Sequence, residues 1–423
     1  MIAKPVLGDL TITPVWLQHP ALIRVIDALE GCGHGVRVVG GAIRDHILGL
    51  DTNRSQTDVD LATTAQPDET IAAAFNAGLA ALPTGIAHGT VTVRADGHAF
   101  EVTTLRADVE TDGRHALVQF TDDWAIDARR RDFTVNALSC DRHGRVYDAV
   151  GGLADLAQRQ LRFVGSADDR MTEDYLRILR LFRFIGHLDG FTVDLETYQS
   201  ATRHRAGLAR LSRERIGQEM RKLFSSVNAS GAVRAMIEHG IWFEVLGYVP
   251  TPGLLEQRRA IEDEGLCCKH APLGRLLAAA HIDCTDVERV ASALRLSRHD
   301  TIVLQRALQI TATLERDSLT EASLKQQIYR THRDRHPAAS EGVTLGLVHF
   351  FARHAADTTP GQRAELASLV ACWRAPVFPV SGGDLMALGY VPGPEMGARL
   401  REIEERWIAS GFELDRDALI AGH

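Results

Sequence analysis

The sequence predicts an α/β head followed by a long all-α remainder. Two observations carry that division. Over roughly the first 150 residues, short β-branched runs alternate with helical stretches. From about residue 166 onward, apolar residues recur at i, i+3, i+4 and i+7, and convincing strands are scarce. Length and composition agree: 423 residues suffice for two to four domains, and 45% hydrophobic with 24% charged residues can bury a core in each.

Taken in chain order, Val36–Val39 (VRVV) is a short apolar strand, closed by Gly40-Gly41 and followed by a helix over AIRDHILGL. The next strand is TDVDLATT, residues 57–64. Pro67 then opens a helix that carries AAAFNAGLAAL, proline being suited to a first helical turn. Thr90–Ala95 and His98–Leu105 flank Asp96-Gly97, the turn pair of a tight hairpin. The polar segment 107–124, ADVETDGRHALVQFTDDW, reads as a surface loop. EDYLRILRLFRFIGHL, LARLSRERIGQEMRKLF and GAVRAMIEHGIWFEVL are amphipathic helices. There is no fixed-period repeat and no low-complexity linker.

A net charge of -8 excludes a generic basic nucleic-acid coat but leaves room for a local basic groove. No apolar run approaches the roughly 20 residues of a membrane span. The start, MIAKPVLGDLTITPVW, has neither a signal-peptide core nor a transit-peptide pattern. Cysteines 32, 140, 267, 268, 284 and 372 follow no disulfide or zinc-ribbon spacing, so reduced thiols in the cytoplasm are expected. Cys267, Cys268 and His270 lie close in sequence, and buried or incidental thiols explain them better than a metal site.

Chemistry enters with TDVDLATT. Side chains alternate along a strand, so Asp58 and Asp60 share one face, with Val59 and Leu61 opposite. Two carboxylates side by side repel unless a cation lies between them, and hard ions such as Mg2+ prefer such oxygens. A strand ending in a solvated turn fits the same fragment. Upstream, Gly40-Gly41 lets backbone approach a ligand, and the helix that follows offers free N–H groups to an anion. Arg44 would add a fork to phosphate oxygen, unless it is spent on Asp45. A phosphate cradle beside a metal-binding pair is what nucleotidyl transfer requires, with ions about 4 Å apart serving the attacking and leaving oxygens.

GGAIRDHILGL and TDVDLATT together resemble the signature of the class II nucleotidyltransferases, the family of CCA-adding tRNA nucleotidyltransferases and bacterial poly(A) polymerases. The likeness continues in order through RRRDFTVNAL (129–138), VYDAVGGLADL (146–156) with Asp148, Gly152 and Asp155, EDYLRILRLFRF (173–184) and RLSRERIGQE (210–219). Ile43 stands where the family commonly has Val, a volume-tolerant exchange. The resemblance implies a nucleotidyltransferase head over 1–150, a neck over 151–225 with a nucleotide-selecting helix, and a helical, tRNA-binding body and tail over 226–423. It further implies two Mg2+ ions on Asp58 and Asp60, with Glu101 completing the catalytic set, and nucleotide contacts from Gly41, Arg44 and Arg131.

EDYLRILRLFRF also has a physical reading. On a helix Asp174 and Arg177 stand three apart on one face, either as an ordinary salt bridge or as an acceptor beside a rigid donor fork. Such a pair can match the edges of cytosine and adenine and mismatch those of guanine and uracil. In the family these residues act as a protein template, and Arg180 and Arg183 match positions near the triphosphate. The segment 107–124 resembles the mobile loop of members that complete CCA. Two basic regions, Arg203, Arg205, Arg210, Arg213, Arg215, Arg221 with Lys222, and Lys325, Arg330, Arg333 with Arg335, are compatible with a tRNA backbone. The expected activity is CCA addition to tRNA from CTP and ATP. A poly(A) polymerase of the same family, or a non-catalytic RNA-binding protein, are the alternatives.

Overall fold

The computed structural model describes residues 10–50, 59–112, 115–249, 253–266, 270–317, 319–333 and 337–421. Two compact units emerge: Met1–Ser212 with Ala235–Val245, and Arg213–Arg234 with Leu246–His423.

The first unit holds all the strands of the described residues: β1 (Val36–Val39), β2 (Asp60–Thr63), β3 (Ala80–Gly85), β4 (Thr90–Ala95), β5 (His98–Thr104), β6 (Arg106–Asp112), β7 (His115–Phe120), β8 (Ser139–Cys140) and β9 (Val146–Tyr147). Seven form one mixed sheet in the order β3-β4-β5-β2-β1-β8-β9. Only β2 and β5 run parallel, because the chain between them crosses over through a helix before returning by way of β3 and β4. Asp96 (φ 51°) and Gly97 (φ 82°) supply the two left-handed residues that turn β4 tightly into β5.

Helices α1 (Pro20–Glu30), α2 (Gly41–Ile47), α3 (Pro67–Asn76), α4 (Trp124–Arg129), α5 (Gly152–Gln158), α6 (Ala167–Glu173), α7 (Leu176–His187) and α8 (Leu195–His204) belong to the same unit, and α1, α2 and α3 pack on the seven-stranded sheet. Gln66 and Glu69 form a reciprocal capping box that starts α3, next to Pro67. Leu22, Val25 and Leu29 of α1 and Ala73 and Ala74 of α3 are buried together with Val38, Leu61, Val91, Phe100 and Val102 of the sheet. The remaining helices are α9 (Arg213–Phe224), α10 (Ala229–Glu238), α11 (Ile241–Leu246), α12 (Leu254–Asp263), α13 (Ala271–Ala280), α14 (Val287–Leu294), α15 (Arg298–Asp317), α16 (Glu321–Arg333), α17 (Pro337–Arg353), α18 (Pro360–Cys372), α19 (Gly382–Ala387), α20 (Pro394–Ala409) and α21 (Arg416–Ala421).

In the second unit, α15, α16 and α17 meet over Ile310, Leu314, Leu324, Val343, Leu347 and Phe351, and Tyr329, Ile403, Trp407 and Leu419 form a second core. Close contact between α15 and α17 depends on glycine. A Cβ on Gly342 would lie 2.5 Å from Arg306 Cβ, and one on Gly346 2.6 Å from the Ala307 carbonyl oxygen.

Five expectations are corrected. LARLSRERIGQEMRKLF is not one helix: Leu211 is extended at φ -81° and ψ 149°, between a short 3-10 turn and α9. The helix expected through AAAFNAGLAAL stops at Asn76, because Gly78 takes φ 68° and sends the chain into β3. The segment 107–124 is largely the β6–β7 hairpin rather than a loop, its strands aligned from Arg106 opposite Phe120 to Asp112 opposite His115. EDYLRILRLFRFIGHL is interrupted at Asp174, which is extended at φ -151° and ψ 106°. GAVRAMIEHGIWFEVL is broken at Gly240, φ 71°.

Candidate functional site

The site begins where β1 turns into α2. Gly40 has φ 79° and ψ -132°, which favours glycine, and its N–H donates to the Leu138 carbonyl at 2.9 Å. A Cβ at Gly40 would lie 3.6 Å from Arg131 Nη1 and 3.7 Å from the Asn136 carbonyl oxygen. The Arg131 guanidinium therefore lies against the Gly40-Gly41 turn, held from its other side by Asp127 Oδ2 at 3.1 Å.

Asp60 opens β2 and is exposed. It stands opposite Val39, the residue before Gly40. On the other side β2 and β5 align Leu61 with Val102, so one residue earlier Asp60 falls beside Glu101. Leu61 and Val102 are buried, whereas Asp60 and Glu101 both face solvent from the opposite side of the sheet. Two carboxylates on one open face beside a glycine turn fit a hard divalent cation. Asp58 lies outside the described residues; Val59, next to it, is buried as the alternation requires.

The structure places Arg44 inside the fold. Its side chain is 5% exposed and donates from Nε to Asp45 Oδ1 at 2.8 Å and from Nη1 to Asn136 Oδ1, with Nη2 3.2 Å from His187 Nε2. The pairing with Asp45 is thus formed, and Arg44 buttresses α2 rather than projecting from it as a phosphate fork. Burial alone would push the Asp45 carboxyl up. The His187 hydrogen bond and the Arg44 guanidinium outweigh it and hold the carboxyl well below the usual range.

Asn136 links this cluster to Asp132, donating from Nδ2 at 3.3 Å. Asp132 is buried, accepts from the Phe133 N–H at 2.8 Å, and binds Arg180 through Nε at 2.7 Å and Nη2 at 2.5 Å. Here too burial raises the carboxyl, and Arg180 with the two local donors brings it below its ordinary value. Phe184, between Arg180 and His187 on the same side of α7, lies under Arg44 at 5.1 Å and Arg183 at 4.3 Å. This chain of contacts docks α7 against the strand-turn-helix unit. Sequence reasoning missed Asp132, Asn136 and His187 as site-organising residues. The available signal was the polar pair four apart in DFTVNAL, enclosed by Phe133, Val135, Ala137 and Leu138.

Asp174 and Arg177, expected to select the nucleotide, are arranged differently from a simple helical face. Asp174 precedes α7 and accepts from the Leu176 N–H at 3.1 Å. Arg177 donates to the Arg170 carbonyl at 3.0 Å and forms an ion pair with Glu173. Asp174 and Arg177 are therefore neighbours across a helix start.

Behind the site, Asp148 accepts from four successive N–H groups, those of Val150, Gly151, Gly152 and Leu153, at 2.8–3.1 Å. It closes the start of α5. Buried Asp155 then accepts from Thr134 Oγ1 and from Arg162 Nε at 3.0 Å. Gly152 lies so near this turn that a Cβ would be 2.2 Å from the Thr134 carbonyl oxygen.

The two basic regions are extensively neutralised. Arg203 binds Asp168 and Glu196, Arg221 binds Asp300, Lys325 binds Glu321 and Arg330 binds Glu405. Arg335, Cys267 and Cys268 lie outside the described residues. Among the described residues no helix is long and apolar enough to cross a membrane.

Residues 36–162 match the poly A polymerase head domain, and residues 190–249 match a region described as the probable RNA and SrmB-binding site of polymerase A. The mitochondrial CCA tRNA nucleotidyltransferase 1 of Danio rerio is 34% identical over 91% of this chain and 86% of its own length. The chain belongs to the CCA-adding tRNA nucleotidyltransferase and poly(A) polymerase family. Another member, the CCA-adding enzyme of Levilactobacillus brevis, is 31% identical over 94% of this chain and 95% of its own. The crystal structure of the Bacillus stearothermophilus CCA-adding enzyme in complex with CTP superposes with a TM-score of 0.74 at 26% identity, covering 94% of both chains. Nucleotidyltransferases of this family are generally metal-dependent.

Proposed function

We propose that this protein adds CCA to the 3′ end of tRNA from CTP and ATP, without a nucleic-acid template. The observation that carries the reading is kinship with CCA-adding enzymes over more than 90% of the chain, coupled to an acidic pair beside a glycine turn on adjacent strands. The relatives include one crystallised with CTP. Domain roles follow the sequence: 1–150 as catalytic head, 151–225 as neck, 226–423 as tRNA-binding body and tail.

Asp58 and Asp60, with Glu101 alongside, are the residues that would hold Mg2+, which when bound supplies positive charge to the incoming 3′ hydroxyl and to the departing diphosphate. Gly41 and Arg131 receive the triphosphate at the turn, and Arg180 and Arg183 extend positive charge along α7. Asp174 and Arg177 pair with the base edge. Arg44 acts indirectly by holding α2 against Asn136 and α7. A cytoplasmic location completes the proposal; Cys32, Cys140, Cys284 and Cys372 are free thiols, as a reducing compartment allows, and cell fractionation tests it.

The test uses purified protein, labelled CTP and ATP, and tRNA ending before CCA, after C and after CC. Addition should stop at CCA on each, and Asp60→Asn should abolish it while the protein stays folded. Continued adenylation without CTP use would identify a poly(A) polymerase instead, and no Mg2+-dependent incorporation would refute both.

A further inference from the structure

In the second unit, far along the chain from the residues above, three helices contribute to one polar cluster. His270 immediately precedes α13, His299 lies in the first turn of α15, and Glu341 lies near the start of α17. Glu341 Oε2 is 2.8 Å from His270 Nε2 and 2.6 Å from His299 Nε2. One ligand atom from each residue lies within 4.8 Å of the others.

We propose that His270, His299 and Glu341 form a binding site for a divalent transition-metal ion of the zinc type. The donor set is the first reason. Two imidazoles and one carboxylate suit Zn2+ or Co2+, whereas Mg2+ takes oxygen ligands, so this chemistry differs from that of Asp60 and Glu101. Geometry is the second. Metal–ligand bonds of about 2.0–2.2 Å require ligand atoms somewhat over 3 Å apart, so an ion needs only a modest opening of the present triangle.

The third reason is convergence. Both imidazole Nε2 atoms already meet the same carboxylate oxygen, Glu341 Oε2, so the three donors point at one place that a shared ion could take. Access and rigidity complete the case. His299 has a 42% exposed side chain, which leaves an approach for the ion and a water as fourth ligand. Gly342 and Gly346 hold α17 close on α15, so Glu341 is carried on a fixed backbone. A bound ion would join α13, α15 and α17.

The experiment uses the full-length protein with Co2+ alone as the probe, in saturating Mg2+ to occupy oxygen-only sites. One equivalent should develop the visible absorption of a low-coordinate nitrogen–oxygen site and be displaced by Zn2+. His299→Gln and Glu341→Gln should each weaken binding at least about tenfold, since even groups behind the ligands are worth about 10–100-fold. Asp60→Asn should leave the affinity unchanged. Circular dichroism of each variant separates loss of a ligand from loss of fold, and the two substitutions provide independent readings. Absence of the absorption in the parent, or undiminished binding in both folded ligand variants, would overturn the proposal.

Discussion

Gly152→Ala should damage the site without touching it. The added Cβ would lie 2.2 Å from the Thr134 carbonyl oxygen and 3.3 Å from Leu138 Cδ2. Ordinary non-bonded separations are about 3.5 Å, so more than 1 Å must be found. The start of α5 cannot easily retreat, because Asp148 holds four of its N–H groups and Asp155 ties the helix to Thr134. The Thr134–Asn136 turn must therefore yield. Overpacking of this kind costs about 1–3 kcal/mol, and each kcal/mol lowers Tm by about 2–4 °C in a domain of this size. Asn136 lies at the end of that turn, accepts from Arg44 and borders Gly40. Displacing positioning groups by about 1 Å can reduce turnover about 100-fold.

The assay pairs thermal unfolding with single-turnover CTP incorporation. Gly151→Ala is the control: φ is 87°, but no atom lies within 4 Å, so the cost is about 1–2 kcal/mol of backbone strain with little displacement of the turn. It should lose stability while keeping most of its incorporation rate. If Gly152→Ala matched the parent, or if the two variants behaved alike, the steric reasoning would be wrong.

Asp174→Ala should reduce discrimination of CTP against UTP by about 1–3 kcal/mol, the cost of one missing partner at a base edge; misincorporation assays read this, and unchanged selectivity would remove Asp174 from the template. Shortening the β6–β7 hairpin should spare both cytidine additions and slow the terminal adenosine, visible as a product ladder that stalls at CC; equal slowing at C and A steps would count against a switching role. His349, buried on α17, is held near a pKa of about 3, first by burial and then by Arg258, Arg353 and His281. Its unfolded value is about 6.5. The unfolded chain therefore binds the proton first as pH falls, so this contribution to stability is complete above about 6.5 and declines down to about 3. By pH 5 the loss is about 2 kcal/mol. Urea melts should show that slope in the parent and a flatter one in His349→Gln.

Local signals in the sequence were reliable wherever local chemistry decides the structure. VRVV, the Asp96-Gly97 turn and the Pro67 helix start follow from propensity and capping, and the structure forms each. The face shared by Asp60 with its neighbour across β5 also follows from alternation, although finding Glu101 as that neighbour relied on family likeness. What could not be read was long-range pairing. Arg44 meets His187 across 143 positions, and Asp132 meets Arg180 across 48. No periodicity within a helix or strand anticipates such partners, so Arg44 looked like an open phosphate ligand. The break at Asp174 was hidden for another reason. The apolar spacing of α7 extends smoothly into the residues before it, and only the observed backbone shows where the helix begins. His270 stood out beside two cysteines, but His299 and Glu341 come from remote helices.

The return of Ala235–Val245 to the first unit sets a condition on biosynthesis. A chain emerging from the ribosome cannot complete that unit at Ser212. It must wait until Val245 is free, with Arg213–Arg234 already outside as an excursion belonging to the later unit. Elongation at about 5–20 residues per second makes this a delay of seconds, during which fully buried Trp242 has yet to contribute its side chain. A fragment cut at Ser212 would remain permanently at that stage. Pulse-chase protection on stalled nascent chains should consequently step up at the length that frees Val245, well after the last strand has been synthesised.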